Sequence, residues 1–110
     1  MSGSWALPEE LRQLAEADEG LVKEVLSVFQ SDTADRVQKL RGAVEQDDRT
    51  LVKNQAHAMK GSAGQVGASV VADLCRQIEL QALTADGAVL RELTARLETA
   101  FAEVCRQMDA

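Results

Sequence analysis

Residues 52–66, which read VKNQAHAMKGSAGQV, decide the fold of this chain. Their apolar positions are separated by steps of four and three residues, the repeat of one face of an α-helix: Val52, Ala56, Met59, Ala63 and Val66. Asp47 or Asp48 can cap the start of this helix, and Gly67 can end it. The stretch therefore predicts an amphipathic helix that buries one stripe and exposes the opposite side.

The same spacing recurs in the sequence before and after this helix. Apolar residues at helical intervals predict a short leading helix, a long second helix, a fourth and a last one, with a turn at 84–87 before the last. They run from Leu7 to Leu14, from Val22 to Val44, from Val71 to Ala82 and from Leu90 to Met108. Each of these helices has one apolar side.

Four amphipathic helices with short connections bury their apolar faces best as an antiparallel up-down bundle. We therefore predict an all-α fold, a four-helix bundle with the short extra N-terminal helix closing one end. Residues 7–110 would form a single domain, and residues 1–6 a disordered or cloning-derived leader. A coiled-coil dimer could use the same pattern, but the breaks at Gly67 and Gly87 favour folding back within one chain, and a monomer.

Composition argues against several classes of function. The formal net charge of −6 disfavours binding to nucleic acid and to anionic membranes. No apolar run approaches the roughly 20 residues that span a bilayer, so we expect a cytoplasmic protein. Cys75 and Cys105 are expected to be reduced and structural, because they fall on predicted core stripes. Their separation in sequence does not suit a metal site.

The third helix carries the only histidine of the chain. Four residues fall on its solvent-facing side, at about 80° to 180° from the centre of the apolar stripe: His57, Lys60, Gly61 and Gly64. A histidine without function is common on a helix surface, but it leaves the two glycines unexplained. Each costs up to about 1 kcal/mol in a helix interior relative to alanine. Their lack of side chains would let another protein come close to the imidazole, or would admit a neighbouring helix.

These residue types suit the transfer of a phosphoryl group. A neutral imidazole nitrogen is a good nucleophile near pH 7, so His57 needs no further activation. Lys60 lies over the same patch and can neutralise charge on the phosphoryl oxygens. Without such a role, it would be an ordinary surface lysine.

The expected register between the third and fourth helices adds residues of the fourth helix to the predicted site. If the third and fourth helices form a hairpin about residues 67–68, Glu79 lies at the height of His57. Its carboxylate could accept the Nδ1 proton and leave Nε2 free, although it could also be a plain surface acid. Arg76 lies near the same height, where it could dock a partner or serve only solubility. Ser62 could bond locally or touch a partner.

With these residues in hand, the stretch from His57 to Gly67 resembles the His-x-x-Lys-Gly motif of histidine-containing phosphotransfer (HPt) domains. The likeness extends over most of the chain, from about Leu21 to Met108. It implies a four-helix bundle that is phosphorylated at Nε2 of His57, with Lys60 assisting and Gly61 against a docked receiver domain. Glu79 stands where the family often has a Gln or Glu bonded to the imidazole.

The resemblance also implies the partners. They are response-regulator receiver domains and a sensor histidine kinase, and the aspartate and its Mg²⁺ belong to the receiver. The domain itself would need no cofactor or metal. It would take a phosphoryl group from an aspartyl phosphate, or from a kinase domain, and pass it to a receiver aspartate. A freestanding protein, the tail of a hybrid kinase and a chemotaxis-type domain all remain open, as does the direction of flow.

Rival functions fit less well. No Walker-type phosphate loop occurs, so a phosphotransfer intermediate without kinase activity of its own is expected. The dimerisation helices of sensor kinases usually have an acid after the histidine, where this chain has Ala58. A hydrolase would need a nucleophile or metal ligands near His57. The remaining alternative is a non-catalytic helical docking module in which His57 is incidental.

Overall fold

The computed structural model describes residues 5–110, which form five helices and no strand. They are α1 (Glu9–Ala17), α2 (Glu19–Glu45), α3 (Arg49–Gln65), α4 (Ser69–Gln81) and α5 (Gly87–Asp109). Helices α2 to α5 alternate in direction, and each packs against its two neighbours in the ring, while α1 packs on α2. The predicted four-helix bundle with an extra N-terminal helix is confirmed.

Short polar caps begin the two helices that frame the first hairpin of the bundle. The side chain of Asp18 accepts a hydrogen bond from the backbone N–H of Leu21 at 3.1 Å, at the start of α2. Asp48 does the same for Leu51 at 3.2 Å and begins α3. Of the two aspartates that the sequence offered, Asp48 is therefore the cap. Asp47 turns the chain with a φ of 56°.

The core consists of the predicted stripes. The largest fully buried side chains include Leu40, Met59, Ile78, Leu90 and Leu97, so all four bundle helices contribute.

Two threonines are buried among these apolar groups. The hydroxyl of Thr94 donates to the carbonyl of Leu90 at 2.7 Å. The hydroxyl of Thr33 has no hydrogen-bond partner within residues 5–110.

The segment before α1 belongs to the folded unit from Trp5 onward. The indole Nε1 of Trp5 donates to the carbonyl of Val66 at 2.8 Å, and its ring packs against the core. Gly67 turns the chain with a φ of 74°, and a Cβ on it would lie 2.8 Å from Cγ of Pro8. Trp5 therefore packs as part of the folded unit, while the division into a leader of residues 1–6 and a domain of residues 7–110 stays a prediction. Residues 1–4 lie outside the described part of the chain.

Both cysteines are free thiols, Cys75 buried and Cys105 partly buried. Burial raises the pKa of the Cys75 thiol to about 12. A thiol that stays protonated is a poor nucleophile and a poor metal ligand. Within residues 5–110, no helix combines the length and the apolar character needed to cross a membrane.

Candidate functional site

His57 lies on the outer surface of α3, on the side that faces α4. Its side chain is 69% exposed, while Ala56 and Met59 on the opposite stripe are completely buried. The helical repeat therefore places the imidazole at the surface because its neighbours are committed to the core. A partner protein can reach the ring without any rearrangement of the bundle.

The carboxylate of Glu79 forms hydrogen bonds with both His57 and Lys60. Nδ1 of His57 lies 2.7 Å from Oε2 of Glu79, and Nζ of Lys60 donates to Oε1 of the same side chain at 2.7 Å. Glu79 projects from α4, and only 17% of its side chain is exposed. The hairpin register predicted Glu79 beside His57, whereas the bond from Lys60 was not predicted.

The charge on Glu79 determines the direction of its hydrogen bond with His57. The hydrogen bond from Lys60, followed by the one with His57, lowers the pKa of Glu79 below its ordinary value. The carboxylate is therefore ionised at neutral pH and can only accept hydrogen bonds. In the neutral tautomer that this bond favours, Nδ1 carries the proton and donates it, and Nε2 presents its lone pair. No group within residues 5–110 occupies Nε2.

Gly61 and Gly64 expose bare backbone on the same side of α3. A Cβ built on either glycine would have no atom within 4 Å apart from its own helix. Neither glycine is therefore needed to admit another helix of this bundle, one of the two explanations that the sequence left open. What remains is an unobstructed strip of helix beside His57.

Arg76 borders a shallow depression next to this strip. The depression has a volume of about 350 Å³ and includes Lys60, Gly64 and Arg76 among its lining residues. Arg76 bonds Asp73 at 2.8 Å and is half exposed. This bond, with one from Gln77, lowers the pKa of Asp73. Arg76 is thus near the site, and its guanidinium already has a partner.

Ser62 turns away from this surface. Its hydroxyl lies 3.3 Å and 3.4 Å from the carbonyls of Met59 and Ala58, on its own helix. Of the two possibilities for Ser62, the local hydrogen bond is the one present. Its predicted contact with a partner stays a prediction.

Two other features of the described chain lie away from this site. A larger cavity of about 610 Å³ is lined by residues of α4 and α5 and by Trp5, and His57 does not line it. No group of three or more His, Cys, Asp or Glu side chains within residues 5–110 is arranged to hold a metal ion.

Comparison with known proteins identifies the family. The family model of the Hpt domain matches residues 24–108. The chain therefore belongs to the Hpt domain family, which gives it a histidine phosphotransfer role in phosphorelays. Domains of this family work with kinases and receiver domains in two-component systems.

Solved structures agree with this assignment. The chain is similar to histidine-containing phosphotransfer protein B (HptB) from Pseudomonas aeruginosa PAO1, with 26% identity, a TM-score of 0.82, and coverage of 94% of this chain and 90% of that chain. A rice protein proposed to be a histidine-containing phosphotransfer protein shares the fold, with a TM-score of 0.84, 22% identity and coverage of 94% and 76%. A search of curated proteins gave no match.

Proposed function

We propose that His57 is the phosphoacceptor of this domain and relays a phosphoryl group between aspartates of receiver domains, or from a kinase domain to such an aspartate. The bond between Nδ1 of His57 and Glu79 carries this proposal, because it leaves the lone pair of Nε2 facing solvent. His57 is also the only histidine of the chain.

In the forward step, Nε2 attacks the phosphorus of an aspartyl phosphate in line with the bond to the departing carboxylate. The N–P bond forms as the O–P bond breaks, and the aspartate leaves as a free carboxylate. The ring becomes positively charged, and the ionised Glu79 stabilises that charge through the Nδ1 proton. The reverse sequence returns the phosphoryl group to a second aspartate.

Lys60 serves the same step from the adjacent turn of α3. Its ammonium lies 2.7 Å from Glu79 in the resting state, and its side chain is 37% exposed. As charge develops on the phosphoryl oxygens, the ammonium can turn toward them and neutralise part of it. The Mg²⁺ that assists the aspartate belongs to the receiver, so this domain is proposed to act without a cofactor of its own and without kinase activity.

Intact-mass measurement tests this proposal. The wild-type chain and His57→Gln are each incubated with a phosphorylated receiver domain, and the products are then exposed to acid and to alkali. We expect one phosphoryl adduct that is acid-labile, alkali-stable and absent from the variant. An adduct that persists in His57→Gln would place the chemistry elsewhere. No adduct from several receivers would favour a docking module in which His57 is incidental.

A further inference from the structure

Charge is distributed unevenly over the five helices. Helix α3 contains three basic residues and no aspartate or glutamate: Arg49, Lys53 and Lys60. Each of the other four helices has more acidic than basic residues. The helix that presents His57 is thus a positive surface on a protein with a net charge of −6.

Among the cations of α3, Lys53 is the one left available. Lys60 is bound to Glu79, and the guanidinium of Arg49 donates to the carbonyls of Ala82 and Ala85 at the end of α4. Lys53 is exposed and makes no hydrogen bond or ion pair with residues 5–110.

Lys53 lies close to the imidazole of His57. Lys53 lies four residues before His57, so the two side chains share one face of α3, about 6 Å apart along the axis. The unpaired ammonium therefore stands one turn from the imidazole, on the side opposite to the bare strip at Gly61 and Gly64.

We propose that Lys53 is a docking residue for a partner whose reactive face carries a cluster of carboxylates. This inference rests on the proposed function. A receiver fits this description, because its phosphoacceptor is a carboxylate and Mg²⁺ is held at protein sites by further carboxylates. A protein of net charge −6 repels such a face from most directions. The positive surface of α3 offers the favourable approach and orients His57 toward the acidic cluster.

Charge reversal with a matched control tests the inference. Lys53→Glu is compared with Arg91→Glu, which makes the same change in charge at an exposed position of α5, a helix that does not contact α3 in the described structure. Association with a receiver is followed by stopped flow at low and at high salt. Circular dichroism verifies that both variants keep their helix content.

We expect Lys53→Glu to associate roughly tenfold more slowly at low salt and Arg91→Glu to change by less than about twofold. The difference should nearly vanish at about 1 M salt, where the Debye length falls to about 3 Å. Lys53→Gln, which removes the charge without reversing it, should fall between wild type and Lys53→Glu. Because the loss is in association, excess receiver restores labelling of His57 in the variant.

The two proposals fail in different ways. If Lys53→Glu associates as fast as Arg91→Glu while the wild type is labelled at His57, the docking role of Lys53 is overturned and the phosphotransfer role stands. The same conclusion follows if the slower association does not depend on salt. If the wild type is never labelled, the proposed function itself fails.

Discussion

Replacing the two surface glycines of α3 should make the protein more stable and less active. Alanine at Gly61 or Gly64 would enter open space, since its Cβ would have no atom within 4 Å beyond the local helix. The substitution then has no steric cost and gains the helix propensity of alanine over glycine, about 1 kcal/mol. For a domain of this size, the melting temperature should rise by about 4 °C for each variant.

The phosphotransfer rate of these variants should fall, although their stability rises. A methyl group on Gly61, one turn after His57, would stand between the imidazole and a docked partner. A displacement of about 1 Å from productive geometry can cost roughly 100-fold in rate, so we expect the phosphotransfer rate to fall by about tenfold or more. Gly42→Ala is the matched control, because Gly42 also lies within a helix and has open space around it, but on α2. It should gain similar stability and transfer at the wild-type rate.

The assays are thermal unfolding followed by circular dichroism and the rate of labelling by a phosphorylated receiver. If the Gly61 and Gly64 variants are stabilised and still transfer at the wild-type rate, close approach by a partner does not explain the glycines. If the variants are destabilised while Gly42→Ala is stabilised, the surface of α3 is covered by something other than solvent. Either result would refute the reasoning from open space to access.

Three further predictions concern stability. Because the pKa of Glu79 is lowered in the folded state, its carboxylate stabilises the fold above the unfolded-state pKa of about 4.3. This stabilisation is lost as the pH falls through the pKa of Glu79 in the folded protein. In urea titrations, the difference in unfolding free energy between wild type and Glu79→Gln should therefore shrink over that acidic range. Thr33→Val should stabilise the protein by about 1 kcal/mol, since it removes a buried hydroxyl without a partner in the described chain. Thr94→Val should not stabilise it, because that change removes a hydrogen bond of 2.7 Å. Equal denaturation midpoints for the two variants would contradict this prediction. Trp5→Phe should cost about 1 kcal/mol, because the carbonyl of Val66 loses its donor, and an unchanged melting temperature would remove Trp5 from that role.

Periodicity was enough to predict the bundle. Apolar stripes with steps of three and four fix which side of each helix is buried, and short connections leave little choice but antiparallel neighbours. The same logic reached the contact between His57 and Glu79, because a tight turn at Gly67 sets residues of α3 and α4 at matching heights. That part of the site follows from backbone register alone.

Other contacts depend on the far ends of long side chains, which a helical wheel does not place. Lys60 points to the correct face, but four torsions separate its ammonium from the backbone, and its bond to Glu79 appears only in the structure. Arg49 reaches the carbonyl of Ala82, 33 residues away, to satisfy the end of α4. Trp5 precedes any periodic stretch, so its contact with the core left no repeat to detect.

The indole bond at the end of α3 supplies the protein with an intrinsic optical probe. Trp5 is the only tryptophan, and it touches Val66, nine residues beyond His57, or about 13 Å along the helix. Emission on excitation of tryptophan therefore reports on the attachment of the N-terminal segment to the turn between α3 and α4. Receiver binding around the imidazole should leave this signal nearly constant, provided that the receiver's own tryptophans are replaced. One sample can then report local detachment of the segment and, through a second label on the receiver, complex formation.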